Sequence, residues 1–323
     1  MSEKYQVRAL GAEQYAEWDR FVKWSPQGTL FHTSDWLERS GDQFAIYGCY
    51  KGNELRGGLA IGTFGPKFSG HPRVTPYLGL VLPPREGKYV TTLSNEKEIV
   101  LVLARHLKTE TRKVTCRFSP EVVDLQPFIW EGYSTSVRYT YRLNVGNLDA
   151  VWENMDSTRR KNIRRAQQDG ITIEHGAPFG DLFSMVESTY KRQNRDVHFR
   201  DAAFRYNEML TSANKCRAFV ARSKAGQCLA AVYIVWDEKR TYYLLGGHHD
   251  SEGSHHSAGA LAMWEAIRFT AEKLKLPEFD FEGSTIPAVE RFFRKFGGIL
   301  TPTYRVTWDG RSHNSAADDS GTS

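Results

Sequence analysis

Long apolar runs are missing from this sequence. The longest, Cys228–Trp236, is nine residues, against the ~20 that a bilayer-spanning helix needs, so no transmembrane segment is expected. The opening stretch Met1–Leu10 is polar and carries no apolar secretory-signal core. Cysteine is scarce: Cys49, Cys116, Cys216 and Cys228 stand far apart with no Cys-x-x-Cys pair. That argues against a disulfide framework or a zinc site and suits a reducing compartment, so a cytoplasmic protein is expected. What remains is 323 residues, 40% hydrophobic and 25% charged, with mean hydropathy −0.51. This is the composition of a globular protein, and at roughly 100–200 residues per domain it predicts two domains.

The net charge of +5 is unevenly placed, since residues 158–222 hold 13 Lys/Arg against 7 Asp/Glu. A concentrated positive field suits an anionic partner such as phosphate, nucleotide or RNA; a solvated face explains it equally well.

The chain repeats itself. Phe44–Ile61 reads as a strand, a Lys/Gly turn and a strand opening on Gly57-Gly58; Arg217–Ile234 reads the same way and opens its second strand on Ala230-Ala231. Each hairpin is followed by a strand (Tyr77–Leu82; Thr241–Leu245), a helix (about Asn95–Lys108; about Ala258–Leu274) and a strand (Lys113–Phe118; Glu278–Glu282). Each half then closes on a Gly turn and an aromatic strand, Tyr139–Val145 and Tyr304–Trp308. An α+β chain of two tandem copies is therefore expected, residues 1–147 and 148–308, with mixed central sheets flanked by helices. Asp149 reads as the cap of a short helix holding Val151 and Trp152. A second helix is expected to start after Asp156 or Ser157 and stop at Gly170. The Ser/Gly/Asp-rich tail 309–323 is expected to be disordered.

This order of elements resembles the N-acetyltransferase-type (GNAT) fold, and the tandem arrangement resembles the Fem family of aminoacyltransferases. Three stretches carry the resemblance. Gly28–Leu37 is similar to the family's entry segment, and Arg159–Ala166 to the basic helix that opens its second domain. The third runs from Ala258–Ile267 through Phe279–Gly283 to Phe292–Gly298. The resemblance implies amide formation by acyl transfer to an amine. The donor it implies is aminoacyl-tRNA, with acyl-CoA in looser relatives. The long helical arm of some members is absent, because no heptad stretch between Gly170 and Arg217 is long enough. One departure stands out. Where members commonly read Arg-Phe-Lys before the last Phe-Gly, this chain carries Phe293, leaving Arg294 or Lys295 to supply the charge.

Acyl transfer to an amine needs a proton acceptor, an oxyanion donor and an anchor for an anionic carrier. After strand Thr241–Leu245 a Gly/Ser/His-rich loop, Gly246–Ser257, runs into a helix, whose free N–H groups and dipole suit an anion. Gly247, His248, Ser257 and Gly259 are its expected donor contacts, against the plainer reading of a loop with a serine cap. The loop's four histidines lack metal-ligand spacing, so no metal is expected. Arg159, Arg160, Lys161, Arg164 and Arg165 crowd the start of a helix, where cations oppose the dipole; an external anion would explain them, a solvated face being the alternative. Tyr190–Arg195 extends the cationic set toward RNA. On the strand Phe279–Gly283, alternation puts Asp280 and Glu282 on one face and the phenylalanines on the other. Glu282 is the expected base, Tyr243 the group that orients the carbonyl or protonates the leaving atom, and Lys295 a third catalytic candidate. Arg39, Asp280 and Arg294 are the expected acceptor contacts. Trp152, Trp264, Phe292 and Phe296 read as core.

The expectation is thus an acyltransferase moving an aminoacyl group from aminoacyl-tRNA to an amine, a cell-wall precursor or a peptide-like metabolite. No cofactor is expected beyond the donor, and the chain is expected to be a monomer. An acyl-CoA-dependent N-acyltransferase is the first alternative; a non-catalytic RNA- or nucleotide-binding module on the same fold is the second.

Overall fold

The computed structural model describes residues 4–249, 256–283 and 285–311. Asp250–His255, from the expected anion-binding loop, and the tail from residue 312 lie outside them. The chain forms two compact units, one of Met1–Arg138 with Pro302–Ser323 and one of Tyr139–Thr301.

The first unit runs β1 (Gln6–Ala9), α1 (Tyr15–Trp24), α2 (Ser34–Arg39), β2 (Phe44–Lys51), β3 (Glu54–Thr63), β4 (Ser69–Gly70), β5 (Gly79–Val81), α3 (Tyr89–Glu110), β6 (Lys113–Arg117) and α4 (Gln126–Trp130). The hairpin read from Phe44–Ile61 is β2 and β3, paired antiparallel with Tyr47 opposite Leu59. Its two-residue turn puts Gly52 at φ +62°, a conformation that costs glycine nothing. Helix α3 begins six residues before the expected Asn95 and buries Ile99, Val100, Leu103, Ala104 and Leu107 at helical spacing.

The second unit takes in the end of β7 (Ser134–Asn144), then α5 (Leu148–Asn154), α6 (Ser157–Gln168), β8 (Thr172–His175), α7 (Phe179–Arg192), α8 (Arg200–Ser212), β9 (Cys216–Arg222), β10 (Cys228–Trp236), β11 (Thr241–His248), α9 (His256–Phe269), β12 (Glu278–Asp280) and α10 (Pro287–Arg294). Its strands lie in the order β7-β12-β11-β10-β9-β8, with only β11 and β12 parallel. Helix α9 packs small residues, Ala258, Ala260, Ala262 and Ala266, into a core shared with Ile163 and Ala166 of α6 and with Phe279, Phe281, Phe293 and Phe296. Of the aromatics read as core, Trp264 and Phe296 are buried, while Trp152 and Phe292 are half-buried against it.

The last strand, β13 (Ile299–Asp309), alters the expected partition. Its end pairs antiparallel with β6, Arg305 opposite Arg117 through Asp309 opposite Lys113. Residues from Pro302 on therefore belong to the first unit rather than closing the second, and the division falls at 138/139 instead of 147/148. The cap of α5 is Asn147, whose side chain accepts from Ala150 N, rather than Asp149.

Candidate active site

Strands β11 and β12 pair at only two positions, Thr241 with Phe279 and Tyr242 with Asp280. Beyond these, β11 continues to His248 on β10 alone, and the chain after β12 turns away. On β11, Tyr243 faces Ile234 and Leu245 faces Tyr233, so Leu244 is an extra residue that β10 does not match. Such a bulge re-aims the side chains beside it. Tyr242 points into the core and donates to Asp237 Oδ2 at 2.8 Å. Tyr243 is half-buried, edge-on to Phe293 with ring centroids 5.3 Å apart. Its hydroxyl lies against the backbone of Gly246, where a Cβ would come within 2.2 Å of it.

Past β12 come two consecutive left-handed residues, Glu282 at φ +55° and Gly283 at φ +71°. A side chain pays roughly 1–2 kcal/mol for that conformation, and strain of this kind concentrates at functional sites. Asp280 holds the turn. It is fully buried, and its Oδ1 accepts from Glu282 N at 2.8 Å and from Thr140 Oγ1 at 2.6 Å. Its Oδ2 accepts from Arg142 Nε at 3.3 Å. Gly283 is obligatory, since a Cβ there would stand 1.9 Å from Tyr139 O. Burial pushes the Tyr243 phenol well up, and the Glu282 carboxylate and then the Tyr190 phenol push it further. Tyr243 is thus a protonated donor at any ordinary pH, and three acidic-type groups share one neighbourhood.

The Glu282 carboxylate acts on the Tyr243 phenol; several of the other expected residues are engaged elsewhere. Asp280 supports the turn from inside and offers nothing to an acceptor. The shared face fails because β12 ends at Asp280; from Glu282 on, the backbone no longer alternates. Lys295 sits at the end of α10, where its Nζ donates to Thr158 Oγ1 at 2.7 Å and lies 3.5 Å from Asp156 Oδ1. Arg294 pairs with Glu290 at 3.5 Å. Arg39 is an exposed residue of α2 in the first unit.

Part of the basic helix is likewise engaged within the fold, while Lys161, Arg164 and Arg165 are exposed. Arg159 is buried, with its guanidinium 4.2 Å from the Phe292 ring centroid and 4.8 Å from that of Phe296. It donates to Phe292 O at 3.1 Å, and burial lowers its pKa to about 10. Arg160 donates to the carbonyls of Trp152 and Glu153 at the end of α5. Arg164 stacks on Trp152 at 5.4 Å, and Arg165 pairs with Asp169 at 3.6 Å. Gly247 faces protein rather than ligand: a Cβ would lie 2.2 Å from Met185 O of α7. His248 N donates to Thr189 Oγ1 at 3.1 Å, and its carbonyl accepts from Arg192 at 2.8 Å. Ser257 is buried in the first turn of α9. Gly259 is half-buried, and an added Cβ would make only ordinary contacts with Ala230 and Phe292.

Phe293 is buried against Tyr243 and Phe281, so no charge stands there. In the sequence, Tyr190 opens a cationic stretch and nothing more. Its closeness to Tyr243 depends on how α7 packs across β11, which no local pattern announces.

Residues 155–294 match the acetyltransferase (GNAT) domain family. Among solved structures the chain is similar to FemX, at 13% identity over 93% of this chain and 96% of that one, TM-score 0.67. It is also similar to a tandem GNAT protein from the clavulanic acid biosynthesis pathway, at 12% identity over 95% and 98%, TM-score 0.56. A third likeness is to the C-terminal domain of a putative lysylphosphatidylglycerol synthetase from Agrobacterium fabrum, at 14% identity over 96% of each chain, TM-score 0.57. At these identities the likeness is one of fold: this chain has the tandem GNAT fold, similar to that of FemX. Among curated proteins no sequence matches it. Domain and fold together support an acyltransferase. Among the described residues, no helix is long and apolar enough to cross a membrane.

Proposed function

We propose that the second unit forms an amide by moving an acyl group from an activated carrier to an amine. The observation that carries this is the strained Glu282 turn, whose carboxylate raises the pKa of the Tyr243 phenol, next to strands that part after two pairs. The amine nitrogen attacks the carbonyl carbon and the nitrogen's proton passes to the Glu282 carboxylate, directly or through water. The Leu244 amide, at the bulge, is the candidate donor to the oxyanion. As the tetrahedral intermediate collapses, the bond from carbonyl carbon to the leaving sulfur or oxygen breaks and that atom takes its proton from Tyr243 Oη.

For the carrier we favour a coenzyme A thioester over aminoacyl-tRNA. The basic helix is the residue-level reason to expect tRNA, and two of its cations, Arg159 and Arg160, donate to backbone carbonyls of the fold. The matched family, an acetyltransferase domain, also supports this choice. The test offers acetyl-CoA and charged tRNA, separately, with a panel of amines. Thiol release that RNase leaves unchanged, and that falls at least a hundredfold in Glu282→Gln, is expected. RNase-sensitive product reverses the choice of carrier, and unchanged turnover in Glu282→Gln removes the catalytic assignment.

A further inference from the structure

Helix α7 ends in a way that fixes one cation. Asn194 is left-handed at φ +51°. Its N–H donates to Lys191 O at 3.0 Å, and the N–H of Arg195 reaches back to Tyr190 O, also at 3.0 Å. These two bonds define a Schellman motif, in which the residue after the left-handed one folds onto the residue five positions earlier. That contact is usually apolar. Here it sets the Arg195 guanidinium 5.0 Å from the Tyr190 ring centroid, while Phe199 packs edge-on against the same ring at 5.4 Å. Arg195 is exposed, and a cation on an aromatic face keeps its outward N–H groups available to an anion.

This pair stands beside the proposed site. Thr189, the residue before Tyr190, holds His248 N at the end of β11, and Gly247 of β11 lies directly against Met185. The Tyr190 phenol acts electrostatically on Tyr243. Neighbouring Arg192 is tied to the His248 carbonyl and to Ser188 and Thr189, so Arg195 is the more available of the two.

We propose that Tyr190 and Arg195 form an anion subsite of the transfer site, taking a carboxylate or phosphate group of a substrate. This rests on the location proposed above for the transfer site. A carboxylate would make the acceptor an anionic amine, such as an amino acid or peptide with a free C-terminus; a phosphate would belong to the carrier.

Calorimetric titration of the intact chain tests it without turnover. The probes are coenzyme A for the phosphate source, and alanyl-alanine against its C-terminal amide for the carboxylate source. Arg195→Gln is expected to weaken one anionic probe at least tenfold, while Lys191→Gln, the same charge change on the same helix end, stays within twofold. Loss on coenzyme A assigns phosphate; loss on the dipeptide but not its amide assigns carboxylate. The proposal is overturned if the wild type binds neither anionic probe, if Arg195→Gln binds both within twofold of wild type, or if Lys191→Gln loses as much. Because binding alone is read, it can fail while the Glu282 test succeeds, and the reverse.

Discussion

Replacing Glu282 by glycine and by alanine separates backbone strain from side-chain chemistry. Both substitutions remove the carboxylate, so they differ only in what the left-handed backbone at φ +55° demands. Alanine keeps the Cβ and with it a cost of roughly 1–2 kcal/mol. Glycine is relieved of that cost but gives up about 0.5–1 kcal/mol more chain entropy on folding than alanine does. The difference leaves Glu282→Gly the more stable of the two by about 0.5–1 kcal/mol. At an ordinary extended or helical position the order is the reverse. Urea unfolding followed by tryptophan fluorescence reads the second unit through Trp152, Trp236 and Trp264 once Trp18, Trp24, Trp36, Trp130 and Trp308 of the first unit are replaced by phenylalanine in both variants. Transfer is expected to vanish in both variants, so the more stable protein is an inactive one. If Glu282→Ala equals or exceeds Glu282→Gly in stability, the residue is not held in the left-handed region, and the strain ascribed to the site does not exist.

Three further outcomes follow from the same geometry. Phe293→Lys forces an ammonium among Tyr243, Phe281 and Phe292. It is expected to cost at least about 3 kcal/mol in a denaturant titration, and a loss below about 1 kcal/mol would show that the position tolerates charge. Gly247→Ala drives a Cβ into the α7 backbone at Met185; a cost of about 2–3 kcal/mol should come with lost transfer, because the same helix carries Tyr190, and wild-type melting would refute the contact. In the first unit, His71 donates through Nδ1 to Thr75 O at 3.0 Å and accepts through Nε2 from Arg117 N at 2.7 Å. Burial, and then the Arg117 charge, lowers its pKa to about 4. The unfolded imidazole takes its proton near 6.5, so between these values the unfolded state binds more protons; stability is full above about pH 6.5 and falls by up to about 3 kcal/mol as the pH drops through 4. His71→Gln should flatten that slope, and an unchanged slope would place the titration elsewhere.

The doubled order of elements was legible because hairpins, Gly turns and buried helical faces are written locally. Lys51-Gly52-Asn53-Glu54 makes the turn its residues suggest, and Ile99, Val100, Leu103 and Leu107 give α3 its buried stripe. The fate of the last strand was not legible. Tyr304–Trp308 reads as an aromatic strand in either unit, and the choice of β6 as partner is a long-range pairing on which local pattern is silent. The left-handed turn at Glu282 was hidden for a related reason. Period-two alternation assumes that a strand continues, and here Asp280 ends it by capturing the Glu282 amide with its own side chain.

In the basic helix, Arg159 finds partners inside the fold that the local pattern does not announce. Cations in a first helical turn do oppose the dipole, and something must offset them. In the fold, Asp156 caps the helix, accepting from Thr158 N and Arg159 N at 2.9 and 3.3 Å. The C-terminal turn of α10 also lies against it: Asp156 N donates to Lys295 O at 3.1 Å, and Arg159 donates to Phe292 O. A helix C-terminus is the one neutral element that presents a negative dipole end, so Arg159 finds its counter-charge in carbonyls and aromatic faces rather than in a ligand. Arginine is suited to this, because its flat, weakly hydrated guanidinium stacks on rings and still reaches a carbonyl. Arg159→Lys therefore tests the argument. A compact ammonium can neither cover Phe292 and Phe296 together nor reach Phe292 O with the same geometry. The variant should lose about 1–2 kcal/mol at unchanged net charge, whereas a helix whose cations serve an external anion would keep its stability and lose only affinity for that anion.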